Sequence, residues 1–291
     1  MEHAVLGAGA IGGLVGTAVA SLGESVTLLV RSERLPGYPA NVSVERPSGA
    51  ITAAAKVAVT LANPVDVLWI ATKTYQLKMA LQAVHSLPRC IVPLLNGVDH
   101  VEVLRAHFGH DRVLPATVAV EAERIAPGRF VQRSPFVNLN LAASGEQVLG
   151  GIVARLRDLE FTCKFIQNEQ TLLWSKLCFL GPFALVTSAS GMNKGEIYAD
   201  AEWKRKLISS MTEACSVAKT SGAEVDPAQI QAIYDGLPSA IRSSMQKDLA
   251  SRRQLELDAI GGPIVRDGER YGIDVSTTAA LIAVIRAKAT E

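Results

Sequence analysis

Lys176 lies in an otherwise apolar stretch, flanked by Trp174, Leu177 and Phe179. A lysine so placed either snorkels its ammonium to water or aims it into a cleft. An ammonium aimed at a carbonyl oxygen stabilises the negative charge that develops there during reduction, and it can deliver the proton that the oxygen needs. Burial would lower its pKa toward the working range and make donation easier. On this residue alone both fates stand. Cys178, two positions on, falls on a different helix face with no evident base beside it, and reads as packing.

A second stretch, Gly7-Ala8-Gly9-Ala10-Ile11-Gly12, stands between the apolar run 4–6 and the small, apolar residues 13–21. G-x-G-x-x-G between a strand and a helix is the dinucleotide-binding fingerprint. Its first glycine allows the tight turn, its second lets a pyrophosphate approach the backbone, and its third lets helix and strand lie close. The phosphates then rest on the exposed N–H groups of the helix start. Residues 25–30 read as the next strand, and Arg31-Ser32-Glu33-Arg34 follow it. An acidic residue here suits the ribose 2′-hydroxyl of NAD, whereas a guanidinium suits a 2′-phosphate. Arg31 therefore favours NADP(H), against the counterweight of Glu33 and the alternative of a merely solvated arginine.

Lys73 and Asn96 each follow an apolar strand-like run, 65–71 and 90–95. In an open parallel sheet ligands gather at such carboxyl ends. Lys73 thus stands where a nicotinamide ribose or a substrate would lie. Asn96 has the same position, yet Asn-Gly is also a strong turn former, and both readings remain.

The elements that must position these residues follow from patterning. Residues 42–59, broken by Pro47-Ser48-Gly49, suggest a strand–turn–strand insertion, and strands are expected over 112–120, 128–132, 137–141 and 162–166. Helices are expected over 76–85, 98–107 and 146–159. This alternation predicts an N-terminal Rossmann-type, doubly wound α/β domain over 1–167. After Asn168 the pattern is helical, predicting an all-helical domain over 168–291 that meets the first across a cleft. Its helices are expected from 169, interrupted or kinked at Gly181-Pro182, then over 202–221, 226–234, 237–249, 254–271 and 276–288.

With 29 basic and 28 acidic side chains in 291 residues and no basic block, nothing suggests a nucleic-acid partner or an anionic membrane surface. Apolar stretches are broken by charge or by Gly and Pro before they reach spanning length, and Glu2 replaces the basic start of a signal peptide. Cys90, Cys163, Cys178 and Cys215 lack metal spacing. The expectation is a cytoplasmic protein with reduced core thiols and no metal. Its apolar C-terminal helices would serve a homodimer surface or the monomer core equally well.

The chain resembles the ketopantoate reductase (2-dehydropantoate 2-reductase) family. The resemblance is carried by the glycine loop, Arg31, Thr72-Lys73-Thr74-Tyr75-Gln76, Leu95-Asn96-Gly97-Val98, Trp174-Ser175-Lys176-Leu177, Ser243-Ser244-Met245-Gln246-Lys247-Asp248 and Leu255-Glu256-Leu257-Asp258. It implies a second domain like the C-terminal domain of 6-phosphogluconate dehydrogenase, and NADPH-dependent reduction of a small 2-oxo acid between the two domains. It also implies roles: Lys176 as general acid, Ser244 on the substrate carboxylate, and Glu256 near the nicotinamide ribose, positioning Lys176. Lys73 and Asn96 would touch the cofactor, and Asn96 the substrate too. In the family, asparagines four and eight residues after the lysine hold a substrate hydroxyl; here they are Leu180 and Ala184. A further family asparagine aligns with Lys194, next to Asn193. Replacing donors that read a hydroxyl alters recognition while sparing hydride transfer. A more apolar 2-oxo acid, or cofactor binding without turnover, are the alternatives.

Overall fold

The computed structural model describes residues 1–290. The chain forms two compact units, residues 1–95 with 100–167, and residues 96–99 with the chain from 168 onward.

The first unit runs β1 (Glu2–Leu6), α1 (Ala10–Ser21), β2 (Ser25–Leu29), β3 (Asn41–Glu45), β4 (Ile51–Ala54), β5 (Lys56–Ala58), β6 (Val67–Ile70), α2 (Leu77–Ala80), β7 (Cys90–Pro93), α3 (His100–Phe108), β8 (Ala116–Ala119), β9 (Ala122–Ala126), β10 (Arg129–Gln132), β11 (Val137–Ala142), α4 (Glu146–Asp158) and β12 (Phe161–Ile166). A parallel sheet of order β5-β2-β1-β6-β7 forms its centre. The strands β6 and β7 are buried at every position, as continuous apolar runs covered on both faces must be. Two smaller sheets, β4-β3-β10-β9 and β12-β11-β8, complete the unit. This is the Rossmann-type α/β fold with a helical partner unit that the patterning predicts.

Helix α1 is enclosed between β1–β2 and the β3–β4–β9–β10 sheet, which explains its small residues. A Cβ on Gly12 would meet Gly7 O at 2.2 Å and Val5 at 2.8 Å, and one on Gly13 would meet the Phe130 ring of β10 at 2.1 Å. Residues 76–85 are not one helix. A 3-10 turn (Thr74–Gln76), the single turn α2 and another 3-10 turn (Leu81–Ala83) share the segment. Only Leu77 and Leu81 are buried there, too little apolar anchorage to hold a longer helix.

The second unit runs α5 (Glu169–Ser190), α6 (Lys194–Ala199), α7 (Ala201–Thr220), α8 (Pro227–Gly236), α9 (Ser244–Ala250), α10 (Leu257–Tyr271) and α11 (Ser276–Thr290). Its axis is α5, started by Asn168, whose side chain accepts from the Thr171 N–H at 2.9 Å. By length and apolarity α5 passes the test for a membrane span, against the sequence expectation, but 78% of its most apolar window is buried inside the protein. It is a core helix. Nor does Pro182 interrupt it. Proline leaves the Cys178 carbonyl without its helical donor, and the buried Tyr234 hydroxyl lies 3.3 Å from that oxygen and 2.7 Å from Phe179 O.

The expected helix over 237–249 shrinks to α9. Pro238 stands near its start, and Ser243 caps the shorter helix, accepting from the Gln246 N–H at 3.1 Å. In addition, α10 starts at Leu257 rather than 254. Helix α6 lies outside the expected set, although its signature, Asn193 with Glu196 three residues on, is a complete capping box.

Candidate active site

Three side chains from distant parts of the sequence meet in the second unit. Lys176 projects from the second turn of α5, and its Nζ donates to Asn96 Oδ1 at 3.0 Å. Asn96 Nδ2 donates in turn to Glu256 Oε2 at 3.1 Å. Glu256 is the N-cap position of α10 and is 6% exposed. Burial pushes the Lys176 ammonium down to about 8, with the Glu256 charge acting in the opposite direction. An ammonium near neutrality, fixed in direction by an amide, can donate a proton to a substrate oxygen.

Asn96 is held by the backbone around it. Gly97 has φ +83°, and a Cβ there would stand 2.3 Å from Ala259 O in α10. Two residues on, Asp99 pairs with Arg266, which also donates to Asp258 Oδ1 at 2.8 Å. The segment is thereby fastened to the helix that Glu256 begins. At this position a turn residue, Gly97, stands directly beside an Asn96 whose side chain is hydrogen-bonded to both Lys176 and Glu256. Sequence reasoning misses Arg266 and Asp99, because nothing in the sequence distinguishes them from solvated charges, and it has Asp258 only as the end of the Leu255–Asp258 motif, without this pairing.

The other expected substrate residues are spread more widely. Leu180 is half-buried, one turn after Lys176, and Ala184 is fully buried one turn further. Ser244 is exposed at the first position of α9, whereas its neighbour Ser243 is buried and bonds Thr187 Oγ1 at 2.7 Å. Lys194 turns its amine to Asp235 O at 3.2 Å and over the Tyr198 ring at 4.3 Å.

In the first unit, the Gly7–Gly12 loop joins β1 to α1. Gly7 has φ +98°, which a side chain would strain. The N-cap residue Gly9 offers no side chain, and a Cβ there would meet nothing within 4 Å. Space is thus left open over Gly9 at the start of α1, where the first N–H groups of a helix have no partner within the helix and suit a pyrophosphate. Ala8 is buried beneath the loop. Arg31 is exposed just after β2, and Lys73 is half-buried just before the turn that follows β6. Among the described residues no cluster of His, Cys, Asp or Glu is arranged to hold a metal.

Family models described as "Ketopantoate reductase PanE/ApbA" and its "C terminal" match residues 3–145 and 168–289. A 2-dehydropantoate 2-reductase of Caulobacter vibrioides is 31% identical over 98% of both chains. A solved PanE/ApbA family ketopantoate reductase of Ralstonia eutropha covers 100% of this chain and 99% of its own, with a TM-score of 0.87 at 23% identity. A D-mandelate dehydrogenase solved with NADH and anilino(oxo)acetate covers the same shares, with a TM-score of 0.88 at 20% identity. The class is thus defined: an oxidoreductase with a Rossmann-type first unit and a helical second one. Within that class the chain belongs to the ketopantoate reductase family.

Proposed function

We propose that this chain reduces 2-dehydropantoate to pantoate with NADPH, a step of pantothenate biosynthesis. The observation that carries the reading is Lys176, tied through Asn96 to the buried Glu256 and lowered to about 8. The Lys176 ammonium protonates the carbonyl oxygen as the carbon gains a hydride, and its positive charge stabilises that oxygen on the way. The neutral amine left behind regains its proton from water. Asn96 aims Lys176, and Glu256 sustains its charge. Ser244 binds the substrate carboxylate in this reading.

The start of α1 behind Gly9 suits the cofactor pyrophosphate, Arg31 a 2′-phosphate, and Lys73 and Asn96 the nicotinamide half. When bound, the reduced nicotinamide supplies the hydride. The D-mandelate dehydrogenase was solved with NADH, but at 20% identity its choice of cofactor does not transfer to this chain.

A second substrate is favoured by one observation. Leu180, half-buried one turn after Lys176, presents only hydrocarbon beside the lysine, which suits a 2-oxo acid with an apolar side chain. NADPH oxidation, followed optically over a panel of 2-oxo acids, tests both readings. The Lys176→Ala enzyme should lose about 10²–10⁴-fold in turnover. Tight NADPH binding with no turnover of any 2-oxo acid would overturn the reductase reading in favour of a cofactor-binding protein.

A further inference from the structure

Three guanidinium groups gather in the first unit at the carboxyl end of β2. Arg31 follows two residues after the strand, Arg34 lies in the 3-10 turn Ser32–Gly37, and Arg124 comes from β9. Along β9, residues 122, 124 and 126 are half-buried while 123 and 125 are exposed, so Arg124 occupies the inner face of its sheet. It pairs across the hairpin with Phe130, whose ring lies against Gly13 of α1. The strand that carries Arg124 is thus anchored to the helix that begins at the glycine loop.

Arg34, Tyr38 and Arg124, with Ile125, Ala126 and Pro127, line a depression of about 250 Å³. None of the three arginine side chains has an ion pair or hydrogen bond among the described residues. Glu33, in the same turn, pairs with none of them, and Glu123, the neighbour of Arg124, is committed to Arg133 at 3.0 Å. Burial, then the like charges of Arg34 and Arg31, hold Arg124 below the ordinary arginine range. The Tyr38 hydroxyl is buried beside them with no well-formed hydrogen bond, only a weak approach from the Gly128 backbone.

Like charges crowded without a carboxylate oppose folding unless an anion joins them. A phosphate monoester carries about −1.5 to −2 charges at pH 7 and offers three acceptor oxygens, which guanidinium forks match in pairs. We propose that Arg124, together with Arg34, completes with Arg31 the binding site for the 2′-phosphate of the cofactor, so that a residue on the β9–β10 hairpin helps to set NADPH over NADH. The inference rests on the dinucleotide reading above and deepens it.

Calorimetric titration of the full-length protein with adenosine 2′,5′-bisphosphate and with 5′-AMP tests it without any turnover. The wild type should prefer the bisphosphate. In Arg124→Ala, and in the size-preserving Arg124→Gln, the bisphosphate should weaken about 10- to 100-fold, as loss of a charged hydrogen bond requires, while 5′-AMP is unchanged. Arg124→Lys should recover part of the loss. A wild-type preference that survives both neutral variants overturns the role of Arg124 and leaves the NADPH reading intact. Equal weakening of both ligands also overturns it, since Arg124 would then serve the adenosine or the fold. No preference in the wild type removes the NADPH reading and this inference with it.

Discussion

Lys176 reaches Glu256 through the Asn96 amide, with one hydrogen bond on each side of it. The two neighbours fix the amide's orientation without appeal to hydrogen positions. An ammonium can only donate and a carboxylate can only accept, so Oδ1 faces the lysine and Nδ2 the glutamate. The amide therefore passes on direction, while Glu256 acts on the lysine through its charge.

A pH profile follows from this arrangement. The proposed reduction uses Lys176 in its ammonium form, so kcat/KM should hold below pH 8 and fall as pH rises through about 8, the value to which Lys176 is lowered. Glu256 raises that value, so Glu256→Gln should move the falling limb to lower pH. A limb at the same pH in both proteins would show that another group titrates.

Gly97 should tolerate no side chain. Its φ of +83° disfavours one, and a methyl would lie 2.3 Å from Ala259 O, which is backbone and cannot rotate away. Gly97→Ala should cost about 2 kcal/mol or more in urea unfolding. It should also lower kcat more than KM, because Asn96 is the adjacent residue. A variant with wild-type stability and turnover would show that the segment is not held as described.

How much of this was readable beforehand depended on distance along the chain. The glycine loop, β1 and α1 were legible because turn, strand and helix signals lie within twenty residues. Lys176 was legible as an oddity, a charge in an apolar run. Its connection to Asn96, 80 residues away, was not, since tertiary packing alone decides it. The β9 strand is not legible, because Glu123 and Arg124 break the apolar pattern and only pairing with β10 defines it. The unbroken course of α5 through Pro182 is not legible for a similar reason: the cost of a proline is local and visible, whereas the compensating hydroxyl comes from 52 residues further on.

That compensation can be measured. Tyr234→Phe should destabilise the protein by about 1–3 kcal/mol, the cost of leaving the buried Cys178 carbonyl without a donor. Replacing Pro182 by alanine restores an N–H to the helix, so the penalty for Tyr234→Phe should be smaller in that background. A double-mutant cycle should give a coupling of at least about 0.5 kcal/mol. Strictly additive effects would separate the hydroxyl from the proline.

Acid sensitivity should arise from His3, in the first strand. Its ring is fully buried, and Nδ1 accepts from Trp69 Nε1 at 3.2 Å, which leaves the proton of the neutral ring on Nε2. Glu24 stands 3.9 Å from Nε2, close enough to favour the charged form but not to offset burial, and the pKa falls from 6.5 to about 4. Between those values the unfolded chain takes up a proton that the folded chain resists. The contribution of His3 to stability is therefore complete above pH 6.5 and is lost as pH falls toward 4. The loss amounts to about 2 kcal/mol by pH 5 and about 3 kcal/mol in full. His3→Asn keeps an acceptor for Trp69 and cannot titrate, so its stability should change less between pH 7 and pH 5 than that of the wild type. Equal changes in the two proteins would place the acid-labile group elsewhere.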